Sequence, residues 1–393
     1  YQVTAVMMSI YLITRPLINR GSTCWKITLP LAVITATYIV MISGSRIGPL
    51  TLLLGLIVSV SALWPKLKKN KQLSIVLFIA LLLGSGLGLS QGNNRTLNKT
   101  VAMQSGYSGV ARLGIYSISF DLIKQQPVFG HGVGSFPRVW QFAKPELYQS
   151  HPDVFLPDQF VSHPHNEIMF WLVEGGILAG IGLALVLIGV LLALRKVGWQ
   201  RGGGYAAMLL PIGLHTQVEL PFYMSSIHWI TFIFLIAAVM RHNTYMLKQG
   251  MTVAAKRLIM LVSTVVFVVW LLFVGHTVRS QYDFTEFYNL SNLEQEPFQY
   301  ALNNPYLQSS AQWINMSSIL YSSMEQDLID NVTAYLIWGE RLLLERPDVE
   351  LYKKLADGYY YLGETNKFCA TISKGLSLYP DNKSFQEAIS KCR

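Results

Sequence analysis

The sequence predicts an all-α polytopic membrane protein: a transmembrane helix bundle, a large loop on the exported side, and a C-terminal soluble helical domain. Three observations predict it. The chain of 393 residues is 51% hydrophobic and 13% charged, with mean hydropathy +0.35, whereas a soluble domain carries about 25% charged residues. Apolar runs near the roughly 20 residues that span a bilayer recur along its first two thirds. The basic residues between these runs fall in alternate loops, as the positive-inside rule requires.

Tyr1–Thr14 is apolar but too short to span, and it has no charged n-region of a signal peptide. It reads as the tail of a helix that begins upstream. Full spans are expected near 27–44, 47–64, 73–90, 167–194, 204–221, 224–240 and 258–277. Arg15, Arg20 and Lys26 lie in one loop and Lys66, Lys68, Lys69 and Lys71 in another. Arg195, Lys196 and Arg201 follow, then Arg241, Lys248, Lys256 and Arg257. Counting every span places all four clusters on one face, the cytoplasmic one. The turn 43–46, the loop 91–166, the turn 219–223 and everything after Thr277 then face the other way. The net charge of +9 therefore belongs to short loops, and no Asp or Glu precedes Asp121. That distribution excludes a nucleic-acid binder.

After about residue 278 the chain is charged and has no bilayer-length apolar run. Between Pro347 and Pro380 the pattern Val349, Tyr352, Leu355, Ala356, Tyr359, then Cys369, Ala370, Ile372, Leu376, Leu378 resembles one tetratricopeptide-like hairpin. One such unit cannot bury its own core, so helices upstream must pack on it. The tail reads equally as a helical cap or a docking surface. Cys369 and Cys392 share this segment, and a disulfide between them suits an oxidising compartment.

The candidate chemistry lies on the exported side. His163-Pro164-His165-Asn166-Glu167 stands at the lip of the span that begins near Ile168, where Trp, Tyr, Lys or Arg would be ordinary anchors. Arg46 lies in the turn between two spans, on the side where positive charge is disfavoured, and Arg112 in a mildly apolar, helical stretch of the large loop. His215, Gln217 and Glu219 close another span. Singly, each has a plain reading. Arg46 can snorkel to headgroups, Arg112 can anchor a loop, His163 and His165 can precede a helix cap, and His215 with Glu219 can form an i,i+4 pair. Together they describe a pocket of two guanidiniums, several imidazoles and one or two carboxylates, and paired Arg forks suit a diphosphate. The G-x-G-x-G run 130–134 lacks both phosphate-loop patterns and reads as a tight turn after Pro127. His163 and His165 with His151 and Asp153 form a weak zinc pattern. Neither a metal nor another cofactor is expected.

The combined order of motifs resembles the O-antigen ligase superfamily: Ser45-Arg46, Arg112, Pro127-x2-Gly130-x-Gly132-x-Gly134-x-Phe136, His165-Asn166, Glu174-Gly175-Gly176 and Gly180. Leu214-His215-Thr216-Gln217-Val218-Glu219-Leu220-Pro221-Phe222-Tyr223 is similar to its pilin O-oligosaccharyltransferase branch. The resemblance covers nearly all of 27–277. It implies metal-independent, inverting transfer of an oligosaccharide from undecaprenyl diphosphate to a Ser or Thr hydroxyl of a pilin or another exported protein, at the inner membrane. Arg46 and Arg112 would hold the diphosphate and His165 would be the general base, an imidazole titrating near about 6.5 being suited to that task. His163 would be its understudy, with Asn166, Glu167, His215 and Glu219 binding substrate or orienting the pocket. The resulting domains are 1–90 (transmembrane helices lacking their N-terminal part), 91–166 (periplasmic loop), 167–277 (transmembrane helices) and 278–393 (periplasmic helical domain). An O-antigen ligase acting on lipid A core, an O-antigen polymerase, and a transporter of the same lipid-linked glycan are the competing readings.

Overall fold

A computed structural model describes residues 1–15, 23–91, 107–150, 156–157, 159–241, 252–289 and 298–392. Arg20, Lys248, His151 and Asp153 lie outside them. All regular structure among the described residues is helical, and four segments are long and apolar enough to cross a membrane: Cys24–Ile42, Ile47–Gln91, Glu167–Lys196 and Val253–Asn289. The 45-residue segment Ile47–Gln91 is two helices joined by a 3₁₀ turn at Lys68–Asn70.

The chain divides into two compact units. In the first, α1 (Gln2–Leu12), α2 (Thr23–Ile42), α3 (Ile47–Leu67) and α4 (Lys71–Gln91) pack with α7 (Glu167–Lys196), α8 (Trp199–His215) and α10 (Ser226–Arg241). Their shared core holds Val6, Met7, Val33, Leu63, Ala207 and Met208. Exposed apolar side chains such as Leu53, Phe78, Leu187 and Ile230 cover the outside, as a hydrocarbon solvent requires. Helices in lipid gain no hydrophobic drive from one another, so close approach matters. A Cβ on Gly84 or Gly88 would lie 2.1 Å from the Thr37 side chain or 2.7 Å from Met41. Only glycine lets α4 come so near α2.

Two contacts orient this bundle. The Tyr1 ring lies 5.0 Å from His228 at one end, and Asn70 Nδ2 donates to the Ile13 carbonyl (3.0 Å) at the other. Arg15, Lys66 and Arg201 stand close enough at that second end to feel one another's charge. The basic residues of three separate loops thus meet at one end, as loop counting predicts.

Between α4 and α7 the chain forms α5 (Tyr107–Gln125) and α6 (Phe136–Ser150). They bury a smaller core of their own, with Ile115, Ile118, Phe136 and Trp140 against Phe170 and Val173 of α7. Trp140 Nε1 donates to the Ile115 carbonyl (3.2 Å) and locks the pair.

The second unit contains α11 (Val253–Asn289), whose apolar stretch from Leu258 to Phe273 is exposed throughout. The helix continues unbroken past Thr277 to Asn289. Near its end the buried Asp283 carboxylate accepts the N–H groups of Tyr300 and Ala301 (2.8 Å each), fixing the following segment. Helices α12 (Gln308–Glu325), α13 (Ile329–Leu343), α14 (Val349–Tyr361) and α15 (Thr365–Leu378) then share a core of Leu320, Tyr335, Leu336, Leu355, Tyr359 and Ile372. Two helices upstream do pack on the 349–378 hairpin. Cys369 and Cys392 are joined, with Cα atoms 5.6 Å apart.

Candidate functional site

The start of α7 is pinned to the chain that leaves α8. Asn166 is extended (φ −153°, ψ 119°), and its Oδ1 accepts the Met169 N–H at 2.9 Å as an N-cap. Its Nδ2 faces the other way and donates to the Gln217 carbonyl at 3.3 Å. Glu167 N–H donates to the Thr216 carbonyl (2.8 Å), and its Oε1 accepts from Trp171 Nε1 (3.0 Å). Asn166 and Glu167 are therefore the fasteners that bring residue 165 to residue 219.

His165 itself has φ +55°, a left-handed conformation that costs a side-chain-bearing residue about 1–3 kcal/mol. The turn is held by its own N–H, which donates to His163 Nδ1 at 3.2 Å, and the two rings stand edge to face with centroids 4.4 Å apart. A nitrogen that accepts carries no proton, so His163 is neutral in this arrangement. Burial, then the neighbouring His165 and Arg112, holds its pKa below the usual imidazole value, against the opposing pull of Glu219.

Glu219 is the hinge of the cluster. Its Oε2 lies 3.0 Å from His165 Nδ1 and its Oε1 lies 3.4 Å from the Arg112 guanidinium on α5. A carboxylate accepts, so Nδ1 is the protonated nitrogen of His165, and in the neutral ring Nε2 then carries the lone pair. This is the orientation that a carboxylate imposes on a base in hydrolase triads. All three side chains are between 32% and 40% exposed, so substrate and water can reach them. Arg112 uses one long contact of its five donors here, leaving the rest of its fork for an anion.

A second set of contacts sets the angle of α7. Gly176 (φ +59°, ψ −157°) breaks the helix, and the loop after Pro127 docks on the break. The His131 and Gly132 N–H groups donate to the carbonyls of Val173 and Glu174 (2.9 Å each), and Ile177 N–H donates back to the Pro127 carbonyl (2.8 Å). The buried Glu174 carboxylate accepts the Phe136 N–H at 3.1 Å. A Cβ on Gly130 would sit 2.5 Å from the Glu174 backbone, and one on Gly176 2.3 Å from the Val128 carbonyl. The two glycine motifs are thus the two halves of one joint. Sequence reading reached the turn but not its partner, although a bilayer-length helix carrying Glu-Gly-Gly was a signal that something must meet it.

Of the expected site residues, the structure joins His163, His165, Glu219 and Arg112 directly, with Asn166 and Glu167 as supports. Arg46 is the half-buried N-cap residue of α3 and takes no part in the Arg112–Glu219–His165 contact. The expected side-chain pair of His215 with Glu219 is corrected: the carboxylate turns to Arg112 and His165, and the His215 ring packs edge-on against His228, centroids 5.6 Å apart. Helix α8 ends at His215, and Pro221 opens the short α9 (Pro221–Met224). The Glu219 N–H still donates to the His215 carbonyl (3.0 Å), so the backbone makes one more turn while the two side chains go to different partners.

One ligand atom each from His163, His165 and Glu219 falls within 4.8 Å of the others, a spacing that a divalent ion could bridge. Glu219, however, is already matched by a guanidinium and an imidazole N–H, and an ion there would face Arg112. The donor set fits proton transfer beside a bound anion better than a four-ligand zinc site.

Comparison with known families gives two matches. Residues 31–184 match a family described as O-antigen ligase, and residues 205–392 match one described as the C-terminal part of a virulence factor membrane-bound polymerase. Comparison with curated proteins and with solved structures gives no match.

Proposed function

Because this chain belongs to the O-antigen ligase superfamily and is a membrane glycosyltransferase of that type, we propose that it moves an oligosaccharide from undecaprenyl diphosphate to a Ser or Thr hydroxyl of a pilin or other exported protein. The observation that carries the reading is the Arg112–Glu219–His165 relay. His165 Nε2 takes the proton of the acceptor hydroxyl as its oxygen attacks the anomeric carbon. The bond from that carbon to the diphosphate breaks on the opposite face, so the centre inverts. Glu219 steadies the imidazolium that forms. Arg112, with Arg46, meets the charge that grows on the departing diphosphate, an electrostatic task that needs no metal.

The orientation has two supports. Basic loops gather at the bundle end away from His165, which suits the cytoplasm. The Cys369–Cys392 bond suits a tail in the oxidising periplasm. The helical tail, tetratricopeptide-like in its 349–378 hairpin, and the segment 214–223 favour a protein acceptor. The polymerase description over 205–392 supports a second reading, extension of the glycan itself. Purified enzyme given a lipid-linked glycan and offered pilin, lipid A core or a second glycan separates these. Glycosylated pilin is the expected product, and transfer only to glycan or lipid A core would reassign the acceptor. His165→Ala must abolish transfer while donor binding persists.

A further inference from the structure

Helices α3 and α4 diverge from the Lys68–Asn70 turn, and the gap between them is a cavity of about 490 Å³. Its floor is the buried Val6, Ile13 and Val33, and its rim is Trp64 and Phe78, 59% and 61% exposed. The lining is apolar until the turn, where Lys68 and Lys71 are shared with an adjoining basic hollow of about 590 Å³. Lys26 and Lys69 complete that hollow. All four lysines are exposed, and none forms an ion pair among the described residues. The hollow contains no carboxylate, and none exists in the first 120 residues of the chain to supply one.

We infer that this cleft binds an anionic glycerophospholipid, with an acyl chain between α3 and α4 and the phosphate among Lys26, Lys68, Lys69 and Lys71. Three features select that occupant. Along α3 the lining runs from Leu56 to Leu67, about 16 Å at 1.5 Å per residue, which is one leaflet of a hydrocarbon core about 30 Å thick. The cleft opens sideways between two lipid-facing helices, so a chain can enter from the bilayer. Its mouth concentrates positive charge at headgroup depth with nothing to offset it, so an anionic headgroup is favoured over a zwitterionic one. The size lies within the range of ordinary ligand sites. The cleft is at the bundle end remote from His165, so its occupant differs from a glycan donor held at the relay.

The test is native mass spectrometry of the full purified chain in detergent, titrated with phosphatidylglycerol or phosphatidylcholine. One tightly held phosphatidylglycerol is expected, with phosphatidylcholine much weaker. Each basic side chain at an anionic headgroup contributes about fivefold, so Lys68→Gln with Lys71→Gln should weaken phosphatidylglycerol about 30-fold and leave phosphatidylcholine unchanged. Ser74→Trp, which fills the cleft from α4, should weaken both. Equal affinity of the wild type for the two lipids overturns the inference without any variant. So does an unchanged affinity of the lysine variant. A photo-crosslinker at Phe78 supplies the membrane counterpart: a lipid adduct is expected, and a polypeptide adduct would show that another helix covers the cleft.

Discussion

Glu219→Gln removes one charge from the relay and keeps its shape. The wild-type carboxylate lies 3.0 Å from His165 Nδ1. At that separation a full charge pair is worth ~1.4 kcal/mol at the dielectric of water and ~5.5 kcal/mol at an effective value of 20. The two side chains are 40% and 32% exposed, so the effective value lies between these limits, at about 3 kcal/mol. That energy is realised only when the imidazole gains its proton, which happens in the transition state. The loss should therefore fall on kcat, by about 100-fold. The amide can also present its NH₂ to His165 and stabilise the wrong tautomer, a fault that costs hydrolase triads about 10⁴-fold, so 100-fold is a lower figure. Donor KM should hold or fall, because Arg112 is released from its contact at 3.4 Å. Single-turnover transfer from a lipid-linked glycan at saturating acceptor measures both quantities. A variant that keeps a third of wild-type kcat, or that loses donor affinity with kcat intact, refutes the base-orienting role.

Three further outcomes test the supports. The folded-state pKa of His163 lies below its unfolded value of about 6.5, so on acidification the unfolded chain binds its proton first. Stability should fall as pH drops from about 6.5 through the lowered value. His163→Asn keeps an acceptor without a titration and should flatten the dependence of Tm on pH in this window; parallel curves would remove His163 from the argument. Gly176→Ala places a Cβ 2.3 Å from the Val128 carbonyl at φ +59° and should cost at least about 2 kcal/mol, whereas Gly182→Ala, open on all sides, should be neutral or better in the same thermal unfolding. The cysteines close a loop of separation 23, so reduction should cost the tail helices about 3 kcal/mol, read as faster amide exchange in α14 and α15. Unchanged exchange would assign their stability to the Leu355–Tyr359–Ile372 core alone.

The membrane bundle was legible because lipid imposes a one-dimensional rule: apolar length makes a span, and basic residues mark alternate loops. The helix starts at Ile47 and Glu167 and the basic end follow from that rule alone. The site was legible as a set of residue types but not as a set of pairs. His215 and Glu219 look like helix neighbours at spacing four, and only the distant partners Arg112, His165 and His228 draw their side chains apart. The Thr216 and Gln217 carbonyls meet the start of α7, some 50 residues earlier in the chain. The glycine joint was hidden for the same reason. Gly130 and Gly176 each look like an isolated turn or kink, and their mutual need appears only when the Val128 and Glu174 backbones are adjacent. Side-chain pairing across long separations is a tertiary property, so local pattern cannot assign it.

A single carboxylate serving both a guanidinium and an imidazole has a kinetic consequence. Before the donor binds, Arg112 draws on the negative charge of Glu219 and weakens its support of a protonated His165. A diphosphate that engages the Arg112 fork takes over that role and leaves Glu219 to His165. The base is then strongest only when a donor is in place, which favours donor binding ahead of the acceptor's proton transfer. A cycle of Arg112→Gln, Glu219→Gln and the double variant measures the coupling. Arg112→Gln alone should raise donor KM, and Glu219→Gln alone should lower kcat. If the groups act as one unit, the double variant should lose less than the product of the two single losses, by about 0.5–3 kcal/mol. Losses that multiply, or acceptor hydroxyls that bind equally well with and without donor, would mean that Arg112 and His165 work independently and that the 3.4 Å contact is incidental.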